Sequence, residues 1–393
     1  MSITAAPLTT ELADDPRARA AAIAPALRER AAEGEALRTM PDDLVATIKR
    51  AGLFRLALPA VLGGWEAPPL VTFETIEALA RADGSAAWTT FIGNTGTFLA
   101  WLDTEVARNL LEGDPDRPVA GTFAPLGRAV PSGGGFVVSG RWPCASGALH
   151  SELVMGGVLV MDGDAPRLVD DRPDWRFAWF PRHAVEVIDT WHAPGLRGTG
   201  SHDIAVHDTF VPAHHTCAPM FEPARVDRPL FRLSMYNLLA PLVTGFAAGV
   251  GRSAVDRFVE IAQTKRRGNG PTVRDDEYCQ VVVAQADLQL RAARALFTEA
   301  MSDAWNTVTA GRICTPRQRA SVIGAEQLVL RTSLNAVDTL LPFAGASSVR
   351  DDEPLQRCAR DLHAARQHIV FSADAMKRVG RVTFGLEPND FML

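Results

Sequence analysis

Several side chains in this sequence could do chemistry, and their neighbours narrow what that chemistry would be. His368 stands near the end of a long helical stretch. Imidazole titrates near neutral pH, which suits taking a proton from a phenol or an amine. Counted at about 100° per residue, His368 lies beside the apolar face set by Leu362, Ala365, Ile369 and Met376, whereas His363 falls on another face. Ser146 is followed by Gly147. Its hydroxyl can donate or accept where a glycine lets the backbone approach a planar ring closely. Arg197-Gly198-Thr199-Gly200-Ser201 combines one cation, two glycines and two hydroxyls. Such a loop suits a phosphate or the edge of a ring; it also makes an ordinary structural turn. Gly121 and Thr122, at the end of a strand-like segment, offer a backbone group and a hydroxyl, and Thr122 is equally a plain β-former. Trp142 could wall a ring or fill a core. Trp88 and Asn94 share an apolar helix, where the polar Asn94 must line a pocket or bond to a neighbouring helix.

Other groups argue against whole classes of function. The five cysteines, Cys144, Cys217, Cys279, Cys314 and Cys358, are far apart and contain no C-x-x-C pair. Neither a disulfide framework nor a zinc site is expected, and a reducing cytoplasm fits. The remaining histidines form no ligand pattern with acidic neighbours, and His214-His215 reads as a surface loop, so no metal is expected. The net charge of -6 argues against nucleic-acid binding. The N-terminus shows no signal peptide, and the apolar runs Leu153–Met161 and Pro241–Val250 are short of the roughly 20 residues of a membrane span. No Gly-x-Gly-x-x-Gly follows a strand, so the chain is not expected to bind NADH itself.

The elements that must position these residues fall into three zones. Residues 16–115 carry helical spacing, with helices expected at Asp42–Leu53, Thr72–Ala82 and Ser85–Leu102. Residues 118–220 break into short strand-like segments punctuated by Gly, Pro and Asp, with Ser132-Gly133-Gly134-Gly135 as a turn between two strands. From Asp227 helical texture returns in Asn237–Thr264, Asp275–Thr309, Pro316–Leu341 and Pro354–Val379, enough for a four-helix bundle. The fold class is therefore α+β, with an N-terminal helical domain over 1–117, a β-barrel over 118–226 and a C-terminal bundle over 227–393. Glu387-Pro388-Asn389-Asp390 reads as an exposed tail. Helices this long suit burial against other subunits, and a homotetramer is expected.

Four segments in this order carry a family resemblance: Ala120–Pro125, Gly140–Gly147, Gly195–Ser201 and Arg360–His368. The chain resembles the acyl-CoA dehydrogenase superfamily. More narrowly it resembles the flavin monooxygenase branch that includes hydroxyphenylacetate hydroxylase oxygenases and dibenzothiophene monooxygenases. The resemblance implies an oxygenase supplied with reduced FAD or FMN by a separate NAD(P)H:flavin reductase. Such an enzyme uses O2, through a C4a-hydroperoxide kept dry, to hydroxylate an aromatic or polycyclic small molecule. It implies that Ser146 contacts flavin N5, that Gly121 and Thr122 meet the pyrimidine edge, and that Trp142 walls the ring. Arg197 and Ser201 would touch the flavin, and Trp88, Asn94 and His368 the substrate. Arg267 would reach a neighbouring subunit's flavin, although the dehydrogenase Arg-x-x-Phe-Gly pattern is degraded here to Arg266-Arg267-Gly268-Asn269-Gly270. In many dehydrogenases an Arg-Asp pair precedes Tyr-Glu-Gly, whose Glu is the base. Counted from Arg360-Asp361, the Tyr position is His368 and the Glu position is Ile369, so His368 becomes the candidate base. Oxidation of an amine or amino sugar on the same scaffold, and a dehydrogenase with its base on an earlier helix, are the alternatives.

Overall fold

The structure, a computed structural model, describes residues 14–266 and 268–387. It opens with helices α1 (Pro16–Glu29), α2 (Ala31–Leu37), α3 (Asp42–Arg50), α4 (Pro69–Ala80), α5 (Gly84–Gly93) and α6 (Thr104–Leu110). In α3, Asp42 and Asp43 fill the first turn and Lys49 and Arg50 the last, matching the helix dipole, while Leu44, Val45 and Ile48 are buried. Helix α5 starts where the Asp83 carboxylate accepts from the backbone N–H groups of Ser85 and Ala86. It ends at Asn94, well before the expected Leu102, and continues as a 3-10 turn over Thr95–Trp101. Asn94 is the reason. Its amide donates to the carbonyls of Leu53 and Thr90, both at 2.9 Å, and accepts from Ala57 N at 3.2 Å. One side chain thus satisfies a buried loop and the end of a helix together.

The middle of the chain supplies β1 (Val119–Ser132), β2 (Gly135–Trp142), β3 (Leu153–Asp162), β4 (Ala165–Pro166), β5 (Leu168–Val169), β6 (Arg172–Pro173), β7 (Trp175–Pro181), β8 (Glu186–Ile188), β9 (Asp203–Pro212) and β10 (Thr216–Cys217). One sheet runs β10-β7-β3-β1-β2-β9-β8, with β4 on β3 and a separate β5-β6 ribbon. β1 and β3 are parallel; the Ser132–Gly135 turn joins β1 and β2 as expected. β10 and β8 stand at opposite ends of the ladder, so the barrel is open at that seam. Phe136, Val138, Trp142, Val154, Phe180 and Val206 form its core. Strand β7 was not legible in the sequence. Phe177–Phe180 is buried throughout, and a strand between two others in a covered sheet need not alternate.

The last zone contains α7 (Met235–Thr264), α8 (Glu277–Thr309), α9 (Pro316–Ala344), α10 (Pro354–Ala365) and α11 (Ala373–Thr383). Helix α7 is long and apolar enough to cross a membrane, contrary to the estimate from apolar runs, but here it is the buried heart of the bundle, packed on α4, α9 and α10. The single helix expected over Pro354–Val379 is two. No Gly or Pro lies between 355 and 379. The break comes from tertiary contacts: Val370 and Phe371 are buried, and Gln327 Nε2 donates to Val370 O at 2.6 Å. Packing overrides helix propensity, and His368 adopts an extended backbone at the break.

Candidate active site

A cavity of about 980 Å³ opens where α5, β1, the loop after β2, the 191–201 segment, α7, α9, α10 and the 366–371 segment meet. That is within the roughly 300–1,000 Å³ of small-molecule and cofactor pockets. Aromatic and aliphatic side chains dominate its wall, among them Trp88, Phe91, Phe123, Trp175 and Leu239. The few polar groups converge on three places.

The first is Ser146, buried beside Gly147, whose φ of 71° is the left-handed turn that glycine allows. Ser146 Oγ accepts from Trp88 Nε1 at 3.2 Å and lies 2.6 Å from Ser201 Oγ. Ser201 Oγ is in turn 2.6 Å from Thr199 Oγ1, which donates to Leu196 O at 2.7 Å. The second place is the β1 wall of Gly121 and Thr122. Thr122 lines the cavity, and its Oγ1 is buried with no hydrogen-bond partner, an unmet polar group within the wall. A Cβ at Gly121 would sit 2.5 Å from Thr95 Cγ2, so the strand can pack here only as glycine.

The third is His368. Its ring meets Trp88 edge-on at 5.4 Å between centroids and Phe91 at 6.2 Å. Nδ1 accepts from Val370 N at 3.5 Å, a long bond. A neutral ring capped this way carries its proton on Nε2, an assignment made from the hydrogen bond. Burial among apolar rings pushes the imidazole down to about 4. At the mouth, His363 Nε2 is 2.9 Å from Asp338 Oδ1, with Arg360, Gln367 and Ile369 alongside. Behind the 366–371 segment lies a smaller space of about 310 Å³, lined by Gln327, Arg331, Asn335, Arg366 and Phe371, and Asp338 borders both spaces.

The structure brings Gly121, Thr122, Ser146, Ser201, Trp88 and His368 to one cavity. It places three expected site residues elsewhere. Trp142 is fully buried in the barrel, where Nε1 donates to Gly157 O at 2.8 Å and Ala124 O at 3.2 Å. Its ring fills a slot left by Gly127, Gly140 and Gly156; a Cβ on any of these would come within 2.9 Å of it. Asn94 is spent on the loop and helix end described above. Arg197 is half-buried and does not line the cavity, and Gly198 beside it packs the turn onto Ser85. Arg267 and the tail from Pro388 lie outside the described residues. His368 is not on a helix, so the angular count that set it apart from His363 does not apply, and both histidines line the cavity.

Sequence reasoning missed how the Gly195–Ser201 loop is held. Asp361, quoted only as a landmark for counting, is buried, and its Oδ1 accepts from Leu196 N at 2.6 Å. A Cβ at Gly195 would lie 2.0 Å from Arg360 O, so loop and helix α10 are in backbone contact. Burial raises the Asp361 carboxyl to about 7; Asp83 and Glu35 push it the same way, against Arg357 and the bond from Leu196. The unfolded chain therefore ionises this group first as pH rises, near 3.8, and the folded state loses relative stability until about pH 7. Asp361→Asn keeps the acceptor without the titration. The variant is expected to gain about 2–3 kcal/mol on the native protein between pH 5 and pH 8. Urea midpoints at both pH values measure this, and an equal difference at the two would contradict it.

The comparisons with known proteins agree with this geometry. Residues 242–373 match the family model described as acyl-CoA dehydrogenase, C-terminal domain. The chain is 30% identical over 362 residues to indole-3-acetate monooxygenase of Pseudomonas putida, covering 92% of this chain and 91% of that one. It is 30% identical over 387 residues to the flavin-dependent monooxygenase oxygenase subunit HsaA of Rhodococcus jostii strain RHA1, covering 95% and 99%. In three dimensions it resembles XiaF from a Streptomyces species, solved in complex with FADH2 and glycerol, with a TM-score of 0.88 and 25% identity over 96% of this chain and 97% of that one. Similarity over almost the full length, around an apolar cavity with an unmet hydroxyl and no carboxylate at residue 369, has one reading: the chain belongs to the flavin-dependent monooxygenases of the acyl-CoA dehydrogenase fold, as the oxygenase component that works with reduced flavin from a separate reductase.

Proposed function

We propose that this oxygenase hydroxylates an aromatic or polycyclic small molecule held between Trp88, Phe91 and His368. The observation that carries the reading is the composition of the cavity: aromatic walls with the half-buried imidazole of His368 set against Trp88 and Phe91, and a small cluster of hydroxyls. Among the described residues the lining carboxylate is Asp338, and it is engaged by His363 at the mouth. A dehydrogenase would lack its base here, and an amino sugar would meet few polar partners. Indole-3-acetate, named for one relative, is an aromatic of the expected kind.

The residues present fit a flavin. Thr122 Oγ1 and the β1 backbone at Gly121 would take its pyrimidine edge, and Ser146 would take N5, with Ser201 behind it. When bound, reduced FAD or FMN activates O2 and supplies one oxygen atom to the substrate. The protein's part is to hold the rings, exclude water and place His368. A neutral imidazole held near 4 is a weak base at pH 7, and catalysis by proton removal works best with a pKa near the working pH. His368 therefore acts as an Nε2–H donor to the oxygen on which negative charge develops in the substrate, and the base reading gives way to it.

We further place the enzyme in the cytoplasm as a homotetramer, served by diffusion from an NAD(P)H:flavin reductase. The free thiols of Cys144, Cys217, Cys279, Cys314 and Cys358 support the compartment. Exposed Tyr278, Val281, Leu288 and Leu296 support the assembly: at about 100° per residue they share one side of α8. The decisive experiment incubates the protein with reductase, NADH, flavin and ¹⁸O2 against a panel of phenols, indoles and polycyclic aromatics. One labelled oxygen in a product is expected. Oxygen uptake with no oxygenated product across the panel would sink the proposal.

A further inference from the structure

We infer that Thr199 and Ser201 set the redox preference of the flavin site by dictating where the Ser146 proton points. The inference rests on the reading that Ser146 meets flavin N5. A hydroxyl has one proton and two lone pairs. Leu196 O can only accept, and an oxygen–oxygen contact of 2.7 Å without a proton would set two lone pairs face to face. Thr199 must therefore donate to Leu196 O. Its proton is then used, so across the 2.6 Å contact it accepts from Ser201. Ser201 is now committed as well and accepts from Ser146 across the next 2.6 Å. Trp88 Nε1 is a donor only and occupies one Ser146 lone pair. What remains on Ser146 for the cavity is one lone pair and no proton.

The backbone leaves little room for another arrangement. Ala145 N donates to His202 O at 2.9 Å and Gly147 N to Thr199 O at 3.0 Å, so the two loops that carry the hydroxyls are locked together. Thr199, Ser201 and Ser146 are all buried, and each of the three hydroxyl protons is spent on the next oxygen of the chain. A flavin with hydrogen on N5 finds an acceptor at Ser146. A flavin with a bare N5 finds a second lone pair, and an unmade bond to a buried polar group is the costly case. Reduced flavin carries that hydrogen and oxidised flavin does not. The site would thus favour the form delivered by the reductase and release the spent form. The threonine and serine do this as positioning residues that do not themselves bear on the flavin's N5.

The test compares affinities of the purified full chain for oxidised and for anaerobically reduced FMN and FAD, by fluorescence titration. The native protein is expected to prefer the reduced form by at least about tenfold. Ser201→Ala removes the acceptor of the Ser146 proton, and Thr199→Val, nearly the same shape, frees Ser201 to donate toward Ser146. In both, the proton turns to the cavity, and the preference is expected to shrink to within about threefold of unity. Thr199→Ser keeps the donor and should restore the native ratio. A native ratio in folded Ser201→Ala and Thr199→Val overturns the inference, as does equal weakening of both redox forms. Absence of flavin binding by the native chain in either state would instead overturn the assignment of Ser146 to the flavin.

Discussion

His368→Ala is expected to lower product formation by about a hundred- to a thousandfold, the usual loss when a charge-stabilising donor is removed. Flavin affinity should hold, because the contacts assigned to the flavin come from β1 and the hydroxyl chain on the other walls. NADH oxidation should continue with its electrons ending in hydrogen peroxide, which catalase-coupled oxygen measurements would show. Two further observations separate a donor from a base. His368→Gln retains an N–H and should keep more activity than His368→Ala; equal loss in both would favour the base. Burial holds the imidazole near 4, so its protonation should not shape kcat/KM between pH 6 and 8. An acid limb near 6.5 that vanishes in His368→Gln would refute the assignment.

The second large effect is expected at a residue the sequence pointed to for a different reason. Trp142→Ala empties the glycine-lined slot and should cost about 3–5 kcal/mol. Trp142→Phe keeps most of the ring but strips the carbonyls of Ala124 and Gly157 of their shared donor, for about 1–3 kcal/mol. Urea denaturation followed by circular dichroism measures both. Near-native stability combined with lost flavin affinity would return Trp142 to the ring wall.

The contrast between Trp142 and Ser146 shows what one-dimensional reading can reach. Both lie in the same quoted segment, and composition marks both as suited to a flavin. Which one faces the cavity depends on where the strand ends, since Trp142 closes β2 and turns into the barrel while Ser146 lies in the loop beyond, and on Gly127, Gly140 and Gly156, two of which are distant in sequence. The three zones, the Ser132–Gly135 turn and most of the long helices were legible because caps and hydrophobic spacing act locally. The end of α5 and the break before His368 were not, because Asn94 reaches back to Leu53 and Gln327 reaches forward to Val370. Asp361 was visible as a residue, but its bond to Leu196 joins positions 165 apart in sequence. The hydroxyl chain needed distances.

The break between α10 and α11 leaves the segment around His368 as a thin partition, with the large cavity on one side and the smaller space by Gln327 and Arg331 on the other. A helix wall could change only by repacking the bundle around it. A partition pegged mainly through Gln327 and the buried Val370 and Phe371 can accept new side chains, or a different length, with the ladders of α9 and α10 left intact. Substrate range in this lineage can therefore diverge at residues 366, 367 and 369, on either side of His368, at small cost to folding, and those positions are the natural starting point for directed evolution of the enzyme.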